Sequence, residues 1–181
     1  TPPTIRFLKV SKHGQTVNTD HNHFITDYID GMSREAMRRD YALEVVTYDS
    51  KDIDGLLTAS QARDLSGVII LGTELSERDI IKLANCGQHV VFIDTCYPFL
   101  NANFVDMDND QTVFTVVSYI KSANFSRIGF VGSHSEVTNL HLRSKAFQRA
   151  CEKLSIDVKA HDSFTVEATR DGAYEQAKNY L

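Results

Sequence analysis

The sequence is poor in cysteine, has no apolar run longer than a strand and carries no excess of basic residues. Its three cysteines, Cys86, Cys96 and Cys151, form no CxxC pair and no zinc-ligand spacing, so a disulfide framework and a zinc module are both unsupported. They are expected to be reduced, buried thiols of a cytoplasmic protein. A membrane span needs about 20 apolar residues in a row, and the opening TPPTIRF has no charged segment followed by an apolar one. Neither a membrane partner nor a signal peptide is therefore expected. Lys and Arg number 19 against 24 Asp and Glu, a net charge of −5. Gripping nucleic acid requires a basic face, which this balance does not offer.

Enzyme motifs are missing too. No GxGxxG follows the first apolar run, and no GxxxxGK[ST] occurs anywhere, so dinucleotide and P-loop sites are unsupported. GSHSE at Gly132–Glu136 is the nearest approach to a nucleophile elbow and lacks its second glycine. Asp20, His21 and His23 have some metal-ligand character but read as a solvated segment before a helix. Asp106, Asp108 and Asp110 alternate as in a calcium loop, without the glycine and distal glutamate such a loop needs. No catalytic residue, metal ligand or cofactor is nominated.

What is present is alternation. Short β-branched runs suited to strands fall at Ile5–Val10, Leu43–Tyr48, Gly67–Leu71, His89–Ile93, Phe104–Met107 and Arg127–Val131, with a weaker one near Val158–Val166. GVIIL, VVFI and IGFV are continuously apolar, as strands covered on both faces of a parallel sheet must be. Helical periodicity lies between them. Phe24, Ile25, Tyr28, Ile29, Met32 and Ala36 share one face, capped by Asn22 or Asp20. Ile53–Ala62 reads as a short helix, and Ser76 with Asp79 begins a helix carrying Ile80, Ile81, Leu83 and Ala84. Val113, Val116, Val117 and Ile120 form another, capped by Asp108 or Asn109. Two more run through Ala146–Leu154 and Ala173–Leu181. The expected fold is α/β, built of right-handed βαβ units into doubly wound parallel sheets.

In such a sheet ligands bind beyond the carboxyl ends of the strands. Those ends are polar here: Ser11, Lys12 and His13, then Thr73, Asp94, Asp108, and finally Ser133 and His134. Strand ends also meet water and cap helices, so each residue has a plain structural alternative. Asp94 is the sharpest candidate. It closes VVFID and presents a carboxylate from a buried strand, suited to vicinal hydroxyls or ring nitrogens.

The segments SGVIILGTELSERDI, HVVFIDTCYPFLNANFVDMDND, SRIGFVGS and LRSKAF, in that order, resemble the effector-binding core of LacI/GalR-type bacterial transcriptional repressors. RFLKVSKHG and HFITDYIDGMSREA are similar to the first strand and helix of that core. The resemblance implies a periplasmic-binding-protein-like fold of two subdomains that close on a small-molecule effector, a sugar or related compound. It implies a homodimer, with operator DNA bound only through a helix-turn-helix domain absent from this chain.

Matched by position, Asp94 corresponds to the aspartate ending the family's V-x-x-D strand. Arg143 corresponds to the arginine of R-x-x-G-F, with Ala146 in place of the glycine. Both are implied effector contacts, and Ser11, His13, Phe24 and Thr73 fall in segments that line the pocket. Phe24 also reads as an ordinary core aromatic. Residues 1–106 are expected to form the N-terminal subdomain and 107–181 an incomplete C-terminal one, so that the pocket lacks a wall. Two other functions remain open at this point: a sugar-binding protein of a transporter, and a small α/β enzyme using Asp94, His13 or His134 as acid or base.

Overall fold

The computed structural model describes residues 2–14, 22–125 and 127–180. The chain divides into two compact units, Thr1–Asp106 and Met107–Leu181.

In the first unit, β1 (Thr4–Ser11), α1 (Asn22–Arg38), β2 (Ala42–Asp49), α2 (Ile53–Ser60), β3 (Leu65–Leu71), α3 (Glu77–Ala84), β4 (Val90–Ile93) and β5 (Asn103–Val105) follow in order. The strands form one parallel sheet in the order β2-β1-β3-β4-β5. The order reverses between β1 and β3, which is the switch point of a doubly wound fold.

Alternation along each strand explains the two covered faces. Phe7, Leu71 and Ile93 join Ile25, Tyr28, Ile29 and Met32 of α1 on one side. Leu8, Val10, Val68, Ile70 and Phe92 join Leu56, Ile80 and Leu83 of α2 and α3 on the other. Each large side chain buried completely contributes about 1.5–3 kcal/mol, so this two-sided core is what fixes the strand ends in space. Asp52 caps α2, and Ser76 with Asp79 forms a full capping box on α3.

The second unit contains α4 (Asn109–Ser122), β6 (Phe130–Ser133), α5 (Thr138–Lys153), β7 (Ser163–Val166) and α6 (Arg170–Ala177). β6 and β7 pair in parallel. Val117 of α4 packs with Phe147, Ala150 and Cys151 of α5, and Phe130, Ile156 and Val158 lie against them.

Several expectations need correction. β5 ends at Val105 instead of Met107, because its partner β4 stops where Asp94 turns left-handed and donates its N–H to the Val105 carbonyl. β6 starts at Phe130 instead of Arg127. Before it, Arg127 pairs with Asp162, and Gly129 lies so close to the Asp162 carbonyl that a Cβ would stand 2.1 Å from it. The run near Val158–Val166 is a strand only from Ser163, after a short 3-10 turn at Ala160–Asp162. The short helix predicted to end at Ala62 ends at Ser60.

Phe24 is not part of the buried stripe. It is 41% exposed and its ring meets Tyr28 edge-on, while Ile25 takes the inward position. Cys86 and Cys151 are buried free thiols, but Cys96 is half-buried. The caps expected for α1, Asp20 and the Asn22 side chain, lie outside the described residues, as do His21 and Leu181.

Candidate functional site

The strand ends of the first unit carry buried polar side chains that the apolar core does not require. Ser11, Glu74, Asp79, Asp94 and Thr95 are all buried, although carboxylates leave water only when hydrogen-bonded or paired.

Asp94 follows β4 with φ +59°, a left-handed conformation that few residues other than Gly, Asn and Asp accept readily. The Thr73 hydroxyl donates to its Oδ2 at 2.6 Å. Two nominated residues from neighbouring strands are thus joined directly. Gly72 makes the approach possible: a Cβ there would stand 2.3 Å from the Thr95 Cγ2, and its N–H donates to the Ile93 carbonyl.

On the other side of the switch point, the loop after β1 is tied to the loop after β3. Glu74 Oε2 accepts the backbone N–H groups of Lys12 at 2.5 Å and His13 at 3.1 Å. The Lys12 ammonium reaches Asp79 Oδ2 at 2.5 Å. Burial pushes the Asp79 carboxyl up, but Lys12 and the Ser76 donors outweigh it and hold it below the ordinary carboxylate range. His13 itself is exposed. Ser11 Oγ and Thr95 Oγ1 are buried with no hydrogen-bond partner among the described residues.

Arg143 lies on α5 in the second unit. Its Nε donates to Asn109 Oδ1 at 3.1 Å, and its fork reaches Met107 Sδ. Asn109 Nδ2 in turn donates to Asn139 Oδ1 at 3.1 Å, and both asparagines are buried. The arginine is therefore held in one orientation by a polar pair at the first turns of α4 and α5. Asp108 caps α4 through the Gln111 N–H, and His134 is exposed after β6.

Sequence reasoning missed Glu74, Thr95, Asn139 and the tie made by Asp79. Glu74 and Thr95 had a usable signal, being polar residues directly beside the nominated Thr73 and Asp94. Asn139 had none, since an asparagine early in a helix reads as surface.

Among the described residues no group of three His, Cys, Asp or Glu side chains is placed to hold a metal. No described helix is long and apolar enough to cross a membrane.

No family model and no curated protein matches the chain. Solved structures do. A LacI transcriptional regulator from Bacillus cereus subsp. cytotoxis NVH 391-98 superposes with a TM-score of 0.80 at 23% identity, over 100% of this chain and 64% of its own. The fold is that of the LacI-type regulator core. The lac repressor dimer bound to operator and the anti-inducer ONPF gives a TM-score of 0.80 at 14% identity, over 99% of this chain and 60% of its own. A CelR–cellobiose complex, also a transcriptional regulator, gives 0.75 at 14% identity, over 99% and 55%. At these identities the likeness to LacI-type proteins is one of fold. All three are transcriptional regulators. The chain spans about three fifths of the length of the solved regulators it matches.

Proposed function

We propose that this chain is the effector-sensing part of a bacterial LacI-type transcriptional regulator, with a small polyhydroxyl molecule such as a sugar as its effector. The observation that carries this reading is the Thr73–Asp94 pair, a buried carboxylate presented left-handed at a strand end beside the β1/β3 switch point. A carboxylate so placed accepts two hydrogen bonds from neighbouring hydroxyls.

Ser11, His13, Thr73 and Asp94 of the first unit are effector contacts on this reading, with Phe24 offering an exposed ring; Arg143 of the second unit is a separately nominated contact through its fork of donors. Sensing is a population shift: effector binds one state of the regulator better than another and so changes its affinity for operator. Operator DNA is bound by a separate helix-turn-helix domain of the whole protein, which acts as a homodimer in the cytoplasm. The cellobiose held by CelR and the operator held by the lac repressor support the general kind of partner. The regulator character of the matched structures favours this reading over a transporter's solute-binding protein.

A thermal-shift screen of neutral sugars and nucleobases on the full chain tests it, because a ligand that binds only the native state raises the melting temperature. A hit is followed by calorimetry on wild type, Asp94→Ala and Arg143→Ala. Unchanged affinity in both variants sinks the site assignment.

A further inference from the structure

Two consecutive backbone amides at the end of β1, those of Lys12 and His13, converge on a single oxygen, Oε2 of Glu74. Successive N–H groups aimed at one point form an anion seat. Its place, beyond the carboxyl end of a central strand at the switch point, is where doubly wound folds receive the anionic part of a ligand. Here the seat is filled from within by a side chain only 4% exposed. The second anion-binding group of the same loop is also engaged. The Lys12 ammonium lies 2.5 Å from Asp79 Oδ2, and the two side chains are 17% and 11% exposed. The loop thus has an amide pair and an ammonium suited to a phosphate or carboxylate, and a protein carboxylate occupies each.

We propose that Glu74 is a specificity-determining residue: its carboxylate fills the anion seat on the Lys12 and His13 amides, closing this position to anionic ligands and confining it to uncharged, hydroxyl-bearing ones. The inference rests on reading the strand ends as the effector site. A phosphorylated sugar that placed its phosphate here would have to displace a buried carboxylate from two charge-assisted hydrogen bonds, and such bonds are the strong ones. A hydroxyl of a neutral sugar meets no such requirement. Its partners, Thr73 and Asp94, stand on the neighbouring strand ends.

The experiment titrates inorganic phosphate into the full chain while the Lys12 and His13 amide resonances are followed by NMR, in wild type, Glu74→Ala and Glu74→Gln. Wild type should leave both amides unmoved. Glu74→Ala should show saturable shifts confined to this loop, with phosphate affinity at least about tenfold higher, the worth of one charge-assisted hydrogen bond. Glu74→Gln keeps the side chain's volume and should fall between them. Phosphate moving the two amides equally in wild type and variants overturns the proposal. So does a folded Glu74→Ala whose amides exchange faster but bind no phosphate.

Should Glu74→Ala not fold, paired thermal shifts on wild type decide. Glucose against glucose 6-phosphate and ribose against ribose 5-phosphate should each favour the neutral member, and a phosphate ester that stabilises more than its parent overturns the proposal. Failure of the effector reading looks different. In that case no neutral sugar or nucleobase binds, while the phosphate titration of the amides still reports on Glu74.

Discussion

The Thr73 hydroxyl donates to the Asp94 carboxylate at 2.6 Å, across a separation of 21 residues, and so fastens the ends of β3 and β4 to each other. The bond fixes one carboxylate oxygen, Oδ2, and with it the orientation of the group a ligand would meet.

Asp94→Ala should therefore weaken effector binding by about ten- to a hundredfold, the range of a hydrogen bond to a charged group. Thr73→Val should cost several-fold, since it removes one donor to the carboxylate without removing the carboxylate. Asp94→Asn should leave stability nearly unchanged, because asparagine accepts the left-handed backbone at φ +59°. Calorimetry and thermal melts of the three variants check these orderings.

Gly72→Ala should destabilise the first unit by about 1–3 kcal/mol, as overpacking usually does. The new methyl would stand 2.3 Å from Thr95 Cγ2. Gly72→Ala with Thr95→Ser, which removes that methyl, should recover most of the loss. Urea denaturation of the double-mutant cycle measures the recovery, and additive effects would refute the contact as the cause.

Asp79 gives a pH signature. Its carboxyl sits below the ordinary range in the folded chain because of Lys12 and the Ser76 donors, against the opposing effect of burial. A depressed carboxyl stabilises the fold above its unfolded value, about 4, and that contribution disappears as pH falls through the folded value. Asp79→Asn should cost about 1–2 kcal/mol near neutral pH through the lost ion pair and weakened cap. The gap between wild type and variant should close as denaturation is repeated at progressively lower pH, below about 4.

The asparagine pair of the second unit makes a separate prediction. Asn139→Leu removes the oxygen that accepts from Asn109 Nδ2 at 3.1 Å and leaves that buried nitrogen with only a longer bond to the Met107 carbonyl, at 3.4 Å. A loss of about 1–3 kcal/mol is expected. Arg143→Ala should cost less stability, being only half-buried. Its larger effect should be on ligand affinity, and melts and calorimetry of the two variants separate the cases.

Continuous apolar runs such as GVIIL and VVFI made the sheet legible, because a strand covered on both faces has no polar position to confuse it. Boundaries were less legible where a partner strand or a close backbone approach decides them, as at Val105 and Phe130. The core alternative for Phe24 does not hold, because periodicity places a residue on a stripe without telling whether anything covers its end. Among the site residues, Thr73 and Asp94 were nominated from strand-end position alone, and the structure brings them into contact. Glu74 had the signal of a polar residue beside Thr73, but its partner, backbone 61 residues away, is encoded in no local pattern.

That long-range tie also bears on how such a site can change. The backbone after β1 takes its shape from an acceptor in the loop after β3, with the Lys12–Asp79 pair as a second tie, and the identity of His13 has little part in it. Both donors are main-chain groups, so they remain in the chain whatever side chain position 13 carries. Position 13, exposed and held among the described residues through its main-chain N–H, is therefore a place where a lineage can try new recognition chemistry while the scaffold stays the same.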